Sequence, residues 1–218
     1  MMRHLESGSL DTLAAIYEDD VELVAVARAG VAGVDGASRR LFASEHEFRA
    51  QWVQATRDHS VAERMLTDKL GRRVLPGLSD EIAAAVETLT DLLGCDAVGI
   101  RAQRLRGPMC PRFHVDRVPC RMLITFVGEP TEWIAHDEVD WARFADPGTG
   151  TVPVTSSGTI RHLAKTSWSL LKGAAWDTRF CGVVHRSPDV QQDRLLLSLD
   201  PLFTGNGTHH APAPATYQ

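Results

Sequence analysis

The sequence predicts an α+β fold in which a mainly helical N-terminal layer covers a double-stranded β-helix, or jelly roll. Capped, amphipathic helical patterns dominate residues 1–94, and short β-prone segments follow one another closely over residues 95–203. The chain has 218 residues, of which 44% are hydrophobic, enough for the core of one domain. We therefore expect a single domain over residues 1–203. Residues 204–218 are rich in Gly, Pro, Ala and His and are expected to be a disordered tail.

Helix-capping residues mark two helices of the N-terminal layer. Ser9 is placed to cap a short helix. Ser79 is the expected N-cap of a longer helix, which has acidic residues in its first turn and an apolar stripe along one face. Gly94 follows the last apolar position of that stripe and is expected to end the helix. The stretch Val21–Val26 alternates well enough to be a strand between them.

A third helix is expected before the Ser79 helix. Residues 44–47 read Ser-Glu-His-Glu, which is a capping box: Ser44 can accept from an amide of the first turn while Glu47 reaches back to the start. Phe48 and Trp52 follow at helical spacing. The pattern predicts a helix that runs to about Arg57.

The second half of the chain reads as short strands that are separated by Gly, Pro, Asp and Thr. The predicted strands are 96–105, 112–118, 120–127, 131–135, 168–172, 180–185 and 194–199. Strands this short and this closely spaced predict an antiparallel barrel or jelly roll. Residues 146–158 are a loop by composition, and the loop is long enough to be a functional insertion.

The charge and hydropathy of the chain argue against several partners. The net charge is −5 and the basic residues are scattered, so neither nucleic acid nor anionic lipid is expected to bind. No run approaches the roughly 18 apolar residues of a membrane span, and the first residues lack the pattern of a signal peptide. We expect a cytoplasmic protein. Its cysteines are therefore expected to be free thiols: Cys95, Cys110, Cys120 and Cys181.

His114 and Asp116 are the first candidate site residues. In a strand, side chains two residues apart point to the same face, so this histidine and this aspartate project together while Phe113 and Val115 face the other way. One imidazole and one carboxylate suit an intermediate divalent metal, and a second histidine would complete the two-histidine, one-carboxylate triad of non-haem iron oxygenases. The alternative is a solvated pair on the surface of a strand.

His185 is the expected second histidine, because an apolar strand delivers it directly before a turn. It follows His114 by 71 residues, which suits a jelly roll, where strands distant in the sequence lie side by side. Arg194 comes nine residues later, at the start of the next strand. A buried arginine needs an anionic partner, and a dicarboxylate cosubstrate would supply one through a bidentate contact.

This set, a His-x-Asp pair followed by a distal His and then an Arg, resembles the iron(II)- and 2-oxoglutarate-dependent dioxygenases. The resemblance implies that His114, Asp116 and His185 are the catalytic residues that bind iron(II), and that Arg194 binds the distal carboxylate of 2-oxoglutarate. It further implies that 2-oxoglutarate is decarboxylated to succinate while a C–H bond of the substrate is oxidised. The expected activity is hydroxylation, or a related C–H oxidation, of an unidentified small molecule or peptide.

A second resemblance covers more of the chain. Residues 110–133, with residues 170–173 and 183–188, look like a bacterial family known only as a domain of unknown function. That resemblance implies a link to zinc homeostasis and no particular reaction. Three positions depart from the family pattern, which has Leu, Tyr and Gly there: Cys120, Phe126 and Glu129.

Arg121 and Thr125 are secondary candidates for binding the cosubstrate. Arg121 starts the strand after Asp116 and can pair with that carboxylate, bind a carboxylate of the substrate, or replace Arg194 as the anion anchor. Thr125 is four residues further on, on the same face of the strand, and can hydrogen-bond the cosubstrate. Packing within the sheet is the alternative for this threonine.

Two other functions fit the same residues. A non-catalytic zinc-binding protein in metal homeostasis would combine the triad with Cys110 or Cys120 and would be indifferent to Arg194. A cupin-like isomerase or hydrolase would keep the triad but would need neither 2-oxoglutarate nor dioxygen.

Overall fold

The computed structural model describes residues 1–28, 34–43, 48–55, 59–70, 76–146, 152–176 and 181–203. The strands, in chain order, are β1 (Arg3–Ser7), β2 (Val21–Val26), β3 (Phe48–Gln54), β4 (Ala97–Arg106), β5 (Cys120–Val127), β6 (Glu132–Ile134), β7 (Ile160–His162), β8 (Trp168–Lys172), β9 (Val184–Arg186) and β10 (Asp193–Leu202). The α-helices are α1 (Val34–Phe42), α2 (His59–Leu70), α3 (Pro76–Leu93) and α4 (Trp141–Ala145), and two 3-10 helices span Leu10–Tyr17 and His136–Glu138. The expected tail, residues 204–218, lies outside the described residues, as do residues 147–151 of the expected loop.

The described strands form two sheets. The larger sheet has seven strands in the order β1-β2-β8-β5-β10-β4-β3, and the smaller has three in the order β7-β6-β9. Pairing is antiparallel except between β1 and β2. Leu123 and Leu196 of the larger sheet share one buried cluster with Trp133 of the smaller sheet. The fold is therefore a mixed α/β structure, mostly sheet, whose two sheets pack face to face as in a jelly roll.

The other face of the larger sheet is covered by helices. Ile82 and Leu89 of α3 lie in one buried cluster with Ile100 of β4 and Leu197 of β10. The segment before residue 95 also supplies three strands, β1, β2 and β3, to the larger sheet. The expected N-terminal helical layer is therefore not confirmed as a separate layer, since strands and helices alternate along this part of the chain.

The helix predicted over residues 44–57 is wrong. Residues 48–54 form strand β3, at one edge of the larger sheet, and the capping-box residues 44–47 lie outside the described residues. Burial alternates strictly along β3, with Phe48 and Trp52 on the buried side and Arg49 and Val53 on the exposed side. A spacing of four residues is compatible with both a helix and a strand, so the pair Phe48 and Trp52 could not distinguish them.

The segment 112–118 does not form the predicted strand. Its single ladder contact is a bridge between His114 and His185, and its carbonyls bond instead to the turn after β8. Asp116 O accepts from Ala174 N at 2.8 Å, for example. Pro111 and Pro119 flank the segment, and a proline offers no amide to a ladder.

Several other expectations are confirmed. The predicted strands 96–105, 120–127, 168–172 and 194–199 correspond to β4, β5, β8 and β10. Helix α3 begins at Pro76, before the predicted cap Ser79, but ends as expected at Gly94, which has a φ of 62°. None of the helices in the described ranges is both long enough and apolar enough to cross a bilayer.

Candidate metal centre

Three predicted ligands meet at one place between the two sheets. The ligand atoms of His114, Asp116 and His185 all lie within 4.8 Å of one another. His185 Nε2 is 3.2 Å from Asp116 Oδ2, and His114 Nε2 is 3.9 Å from Asp116 Oδ1. The ring centroids of the two histidines are 4.5 Å apart. The structure thus brings together residues separated by 71 positions in the sequence.

Each histidine has its other ring nitrogen fixed by the backbone. His114 Nδ1 is 2.9 Å from Arg112 O, and His185 Nδ1 is 2.9 Å from Val183 O. A carbonyl oxygen can only accept, so Nδ1 must carry the proton in both rings. The lone pair of each neutral ring is then on Nε2, the atom that faces Asp116, which is the arrangement that a metal-binding histidine requires.

The charges of the cluster favour the ligand forms of its members. Burial opposes ionisation of Asp116, but the neighbouring His185, Arg121 and His114 hold the pKa of this carboxyl well below its usual range. Burial, helped by the neighbouring His185, lowers the pKa of His114. The carboxylate is therefore ionised and the His114 ring neutral near pH 7, as metal binding needs.

Backbone pairing places the ligands. His114 and His185 exchange both backbone hydrogen bonds, each 2.9 Å long. The turn after β8 presses against the segment that carries His114 and Asp116, since a Cβ on Gly173 would lie 1.9 Å from the carbonyl oxygen of Val118. Gly182, with a φ of 91°, would place a Cβ 2.3 Å from the side chain of Val115. Only glycine permits these close approaches.

Arg194 is the largest buried cation near the cluster, with 1% of its surface exposed. Its Nη1 donates to Ser187 Oγ at 3.1 Å and its Nη2 to Thr131 Oγ1 at 3.2 Å. Its Nε has no hydrogen-bond partner among the described residues. Burial lowers the pKa of Arg194 to about 10, against the opposing charges of Glu129 and Glu132.

The partners of Arg194 place it beside the metal ligands. Ser187 follows His185 by two residues along the same extended segment, so the two lie about 7 Å apart on one face. Trp133 of β6 is opposite His185 of β9. Continued by two residues, the same register brings Thr131 opposite Ser187, the two partners of Arg194. None of the carboxylates in the described ranges forms an ion pair with Arg194, which leaves a buried guanidinium with donor capacity to spare.

Arg121 and Thr125 lie on β5. Arg121 Nη1 is 2.7 Å from Asp116 Oδ1, and its Nε and Nη2 donate to Asp200 at 2.6 and 2.9 Å. Of the roles considered for Arg121, the structure shows the pairing with Asp116. Thr125 is buried and pairs with Leu196 of β10, two residues from Arg194.

The cysteines do not join the cluster. All four are free thiols, and within the described parts of the chain neither Cys110 nor Cys120 contributes a ligand atom to the group. Cys120 is fully buried on β5, and burial raises the pKa of its thiol. The mixed Cys/His zinc site expected for a metal-homeostasis protein is therefore not formed among these residues.

Sequence reasoning missed three residues of the site: Thr131, Ser187 and Asp200. Ser187 could have been found, because it is two residues from His185 and so shares its face. Asp200 is six residues from Arg194 on β10, an even separation that places both on one face of the strand. Its pairing with Arg121, however, is not indicated by any local sequence pattern. Thr131 depends on the pairing of β6 with β9, which the sequence does not state.

Solved structures of other proteins share the fold. The dioxygenase for auxin oxidation in rice has a TM-score of 0.53 and 13% identity, covering 93% of this chain and 83% of that chain. The dioxygenase for auxin oxidation 1 from Arabidopsis thaliana, solved with 2-oxoglutarate, has a TM-score of 0.54 and 12% identity, covering 98% and 96%. The Fe(II)/(alpha)ketoglutarate-dependent dioxygenase TqaL has a TM-score of 0.52 and 12% identity, covering 94% and 91%. Identities this low show a common fold alone.

Comparisons of sequence are less informative about chemistry. No curated protein matches the chain. A family model described as "Protein of unknown function (DUF1826)" matches residues 7–200, a range that contains the three clustered ligands, Arg121 and Arg194. This protein, a jelly roll with a His-Asp-His cluster between its sheets, belongs to the DUF1826 family.

Proposed function

We propose that this protein is a non-haem iron(II)- and 2-oxoglutarate-dependent oxygenase, which oxidises a C–H bond of a small molecule or peptide. The observation that carries the proposal is the placement of Arg194. A buried guanidinium without an ion-pair partner among the described residues donates to Ser187, two residues after His185. A metal carrier has no use for such a group, whereas a dicarboxylate cosubstrate requires one.

The donor set fits iron(II). His114, Asp116 and His185 would hold the metal through two neutral imidazole nitrogens and one carboxylate oxygen. Bound there, the metal supplies the redox chemistry by which dioxygen and 2-oxoglutarate are converted to succinate, carbon dioxide and an oxidised substrate. The fixed Nδ1 protons keep both rings oriented for this role without any further group.

The charges also fit a doubly charged cosubstrate. A divalent ion beside ionised Asp116 leaves one positive charge, and Arg194 adds a second. A dianion such as 2-oxoglutarate would neutralise both. The guanidinium is already oriented by Ser187 and Thr131, so it would bind the distal carboxylate with little loss of side-chain freedom.

Substrate would approach from the side of His114. The side chain of His114 is 36% exposed, whereas that of His185, which is opposite Trp133 in the ladder, is 7% exposed. The metal site is therefore open at one histidine and closed at the other. Closure on the Arg194 side would exclude water from the cosubstrate.

The test is an anaerobic titration of the metal-free protein with iron(II) and then with 2-oxoglutarate, followed by visible absorption. Chelation of the keto acid should produce a charge-transfer band. His185→Ala should abolish the band by removing the metal. Arg194→Ala should bind iron(II) as the parent does but need at least tenfold more 2-oxoglutarate to form the band.

Arg143→Ala is the matched control for loss of an arginine. Arg143 is exposed on α4 and pairs only with its own N-cap Asp140 among the described residues, so its removal should not change the titration. The oxygenase proposal would be refuted if the parent protein bound iron(II) tightly but gave no charge-transfer band with 2-oxoglutarate, with or without Arg194.

A further inference from the structure

The two carboxylate oxygens of Asp116 have different partners. Oδ2 is 3.2 Å from His185 Nε2 and points into the ligand cluster. Oδ1 is 3.9 Å from His114 Nε2 and 2.7 Å from Nη1 of Arg121, a residue of the larger sheet. Each oxygen thus lies beside one histidine of the cluster, and Oδ1 is in addition held by a charged donor. An oxygen engaged in a short, charge-assisted contact is less available as a metal ligand.

Arg121 is itself held in place. Its Nε donates to Asp200 Oδ1 at 2.6 Å and its Nη2 donates to Asp200 Oδ2 at 2.9 Å, which is the bidentate geometry that fixes the plane of a guanidinium. Asp200 is 2% exposed and also accepts from Nη2 of Arg101 at 2.9 Å. The chain of contacts therefore runs Asp116, Arg121, Asp200, Arg101.

The network rests on interior strands of the larger sheet. Arg121 lies on β5, Asp200 on β10 and Arg101 on β4, which are three adjacent strands in the interior of the larger sheet. Asp116, in contrast, lies on a segment outside the ladders of both sheets. Arg121, on a regular strand of the larger sheet, thus orients the carboxylate of Asp116, which lies on an irregular segment.

Stability alone is a poor explanation for this network. Buried ion pairs gain little net stability, because desolvation of the charges offsets their attraction. Arg121 and Asp200 are both largely buried, with 16% and 3% of their side chains exposed. Their geometry toward Asp116 gives them a different role, since partners of metal ligands orient those ligands.

We propose that Arg121, fixed by Asp200, is a positioning residue that keeps Asp116 a one-oxygen ligand of the metal. This inference rests on the proposed function for its chemistry but not for its test, which needs only the metal. With one carboxylate oxygen withheld, the cluster would supply a metal with one oxygen and two nitrogen donors and would leave room beside them for cosubstrate and dioxygen. The pair Arg121 and Asp200 thereby protects the open positions that an oxygenase needs.

The experiment is a titration of the full chain with cobalt(II) alone, followed by the visible absorption of the bound ion. The variants are Arg121→Gln, Asp200→Asn and the double variant. Asp193→Asn is the matched control, because it breaks another ion pair between β10 and β4, with Arg104 at 2.8 Å, that lacks contact with Asp116. Thermal unfolding of each metal-free variant reports its stability.

We expect Arg121→Gln and Asp200→Asn each to weaken cobalt(II) binding about 10- to 100-fold and to change the band shape in the same way. The double variant should bind cobalt(II) no more weakly than Arg121→Gln does, because Asp200 acts through that arginine. Asp193→Asn should bind cobalt(II) as the parent does. At saturating metal, the affinity of Arg121→Gln for 2-oxoglutarate should stay within about threefold of that of the parent.

Two results would overturn the inference. One is an unchanged cobalt(II) affinity and spectrum in Asp200→Asn. The other is an equal loss in Asp200→Asn and Asp193→Asn that follows their thermal stability. A parent protein that fails to bind 2-oxoglutarate would instead overturn the proposed function, and the cobalt(II) pattern would still decide the role of Arg121.

Discussion

His114 and His185 face each other across a single antiparallel bridge, in which each backbone amide donates to the other's carbonyl at 2.9 Å. His114 thereby extends the smaller sheet by a single residue, paired with the edge strand β9. Paired residues on neighbouring strands present their side chains on the same face. The bridge therefore accounts for the closeness of the two imidazoles.

Gly173→Ala should damage the metal site without touching a ligand. The added Cβ would lie 1.9 Å from Val118 O and 2.9 Å from Asp116 O, so the ligand segment must move. We expect the free energy of unfolding to fall by about 1–3 kcal/mol and metal affinity to fall with it. Chemical denaturation and iron(II) titration measure the two effects. Gly8→Ala is the control, since a Cβ there meets nothing within 4 Å.

Gly128→Ala should act on cosubstrate rather than on metal. A Cβ at this position, where φ is 86°, would lie 2.4 Å from Asp193 O and 2.9 Å from Arg194 Cγ. Displacement of Arg194 should weaken 2-oxoglutarate binding while iron(II) binding persists, as calorimetry would show. Gly94→Ala separates backbone strain from displacement, because its φ is 62° but a Cβ there has open space. If Gly94→Ala and Gly128→Ala weakened 2-oxoglutarate binding equally, displacement of Arg194 could not be the cause.

Glu22 should make stability depend on pH. Burial raises the pKa of this carboxyl to about 7, against the hydrogen bond from the His136 amide. A raised pKa means that the folded state keeps a proton that the unfolded state loses, so stability falls as pH rises from about 4.5 through 7. The loss should reach about 3 kcal/mol above pH 7. Glu22→Gln should remove this slope and be the more stable protein at pH 8, as denaturation curves at several pH values would show.

Metal binding should not depend on the exposed thiol near the site. Cys110 is exposed and does not belong to the ligand cluster. We expect Cys110→Ser to bind iron(II) and zinc as the parent does, and its stability to change by no more than about 0.5 kcal/mol. Equilibrium dialysis with each metal is the measurement. A large loss of zinc affinity in Cys110→Ser would instead support the zinc-binding protein of metal homeostasis.

The three clustered residues could be chosen as candidates from the sequence, because short-range patterns single out each of them. The two-residue period places His114 and Asp116 together even outside a regular strand, and an apolar segment with a polar end identifies His185. The edge strand β3 could not be predicted, since Phe48 and Trp52 satisfy helix and strand spacing alike. The contact of Arg121 with Asp200 depends on the register of β5 against β10, residues 79 positions apart, and no local pattern encodes that register.

Strand β10 carries both Arg194, which donates to Ser187, and Asp200, which holds the Arg121 that contacts Asp116. The two are six residues apart, or about 20 Å along an extended strand. One central strand therefore fixes the distance between the two arginine-based contacts that the proposed function uses. An insertion or deletion of a single residue between them would turn one of the two side chains to the opposite face of the sheet. The six-residue spacing on this strand is thus a length on which both proposed roles depend.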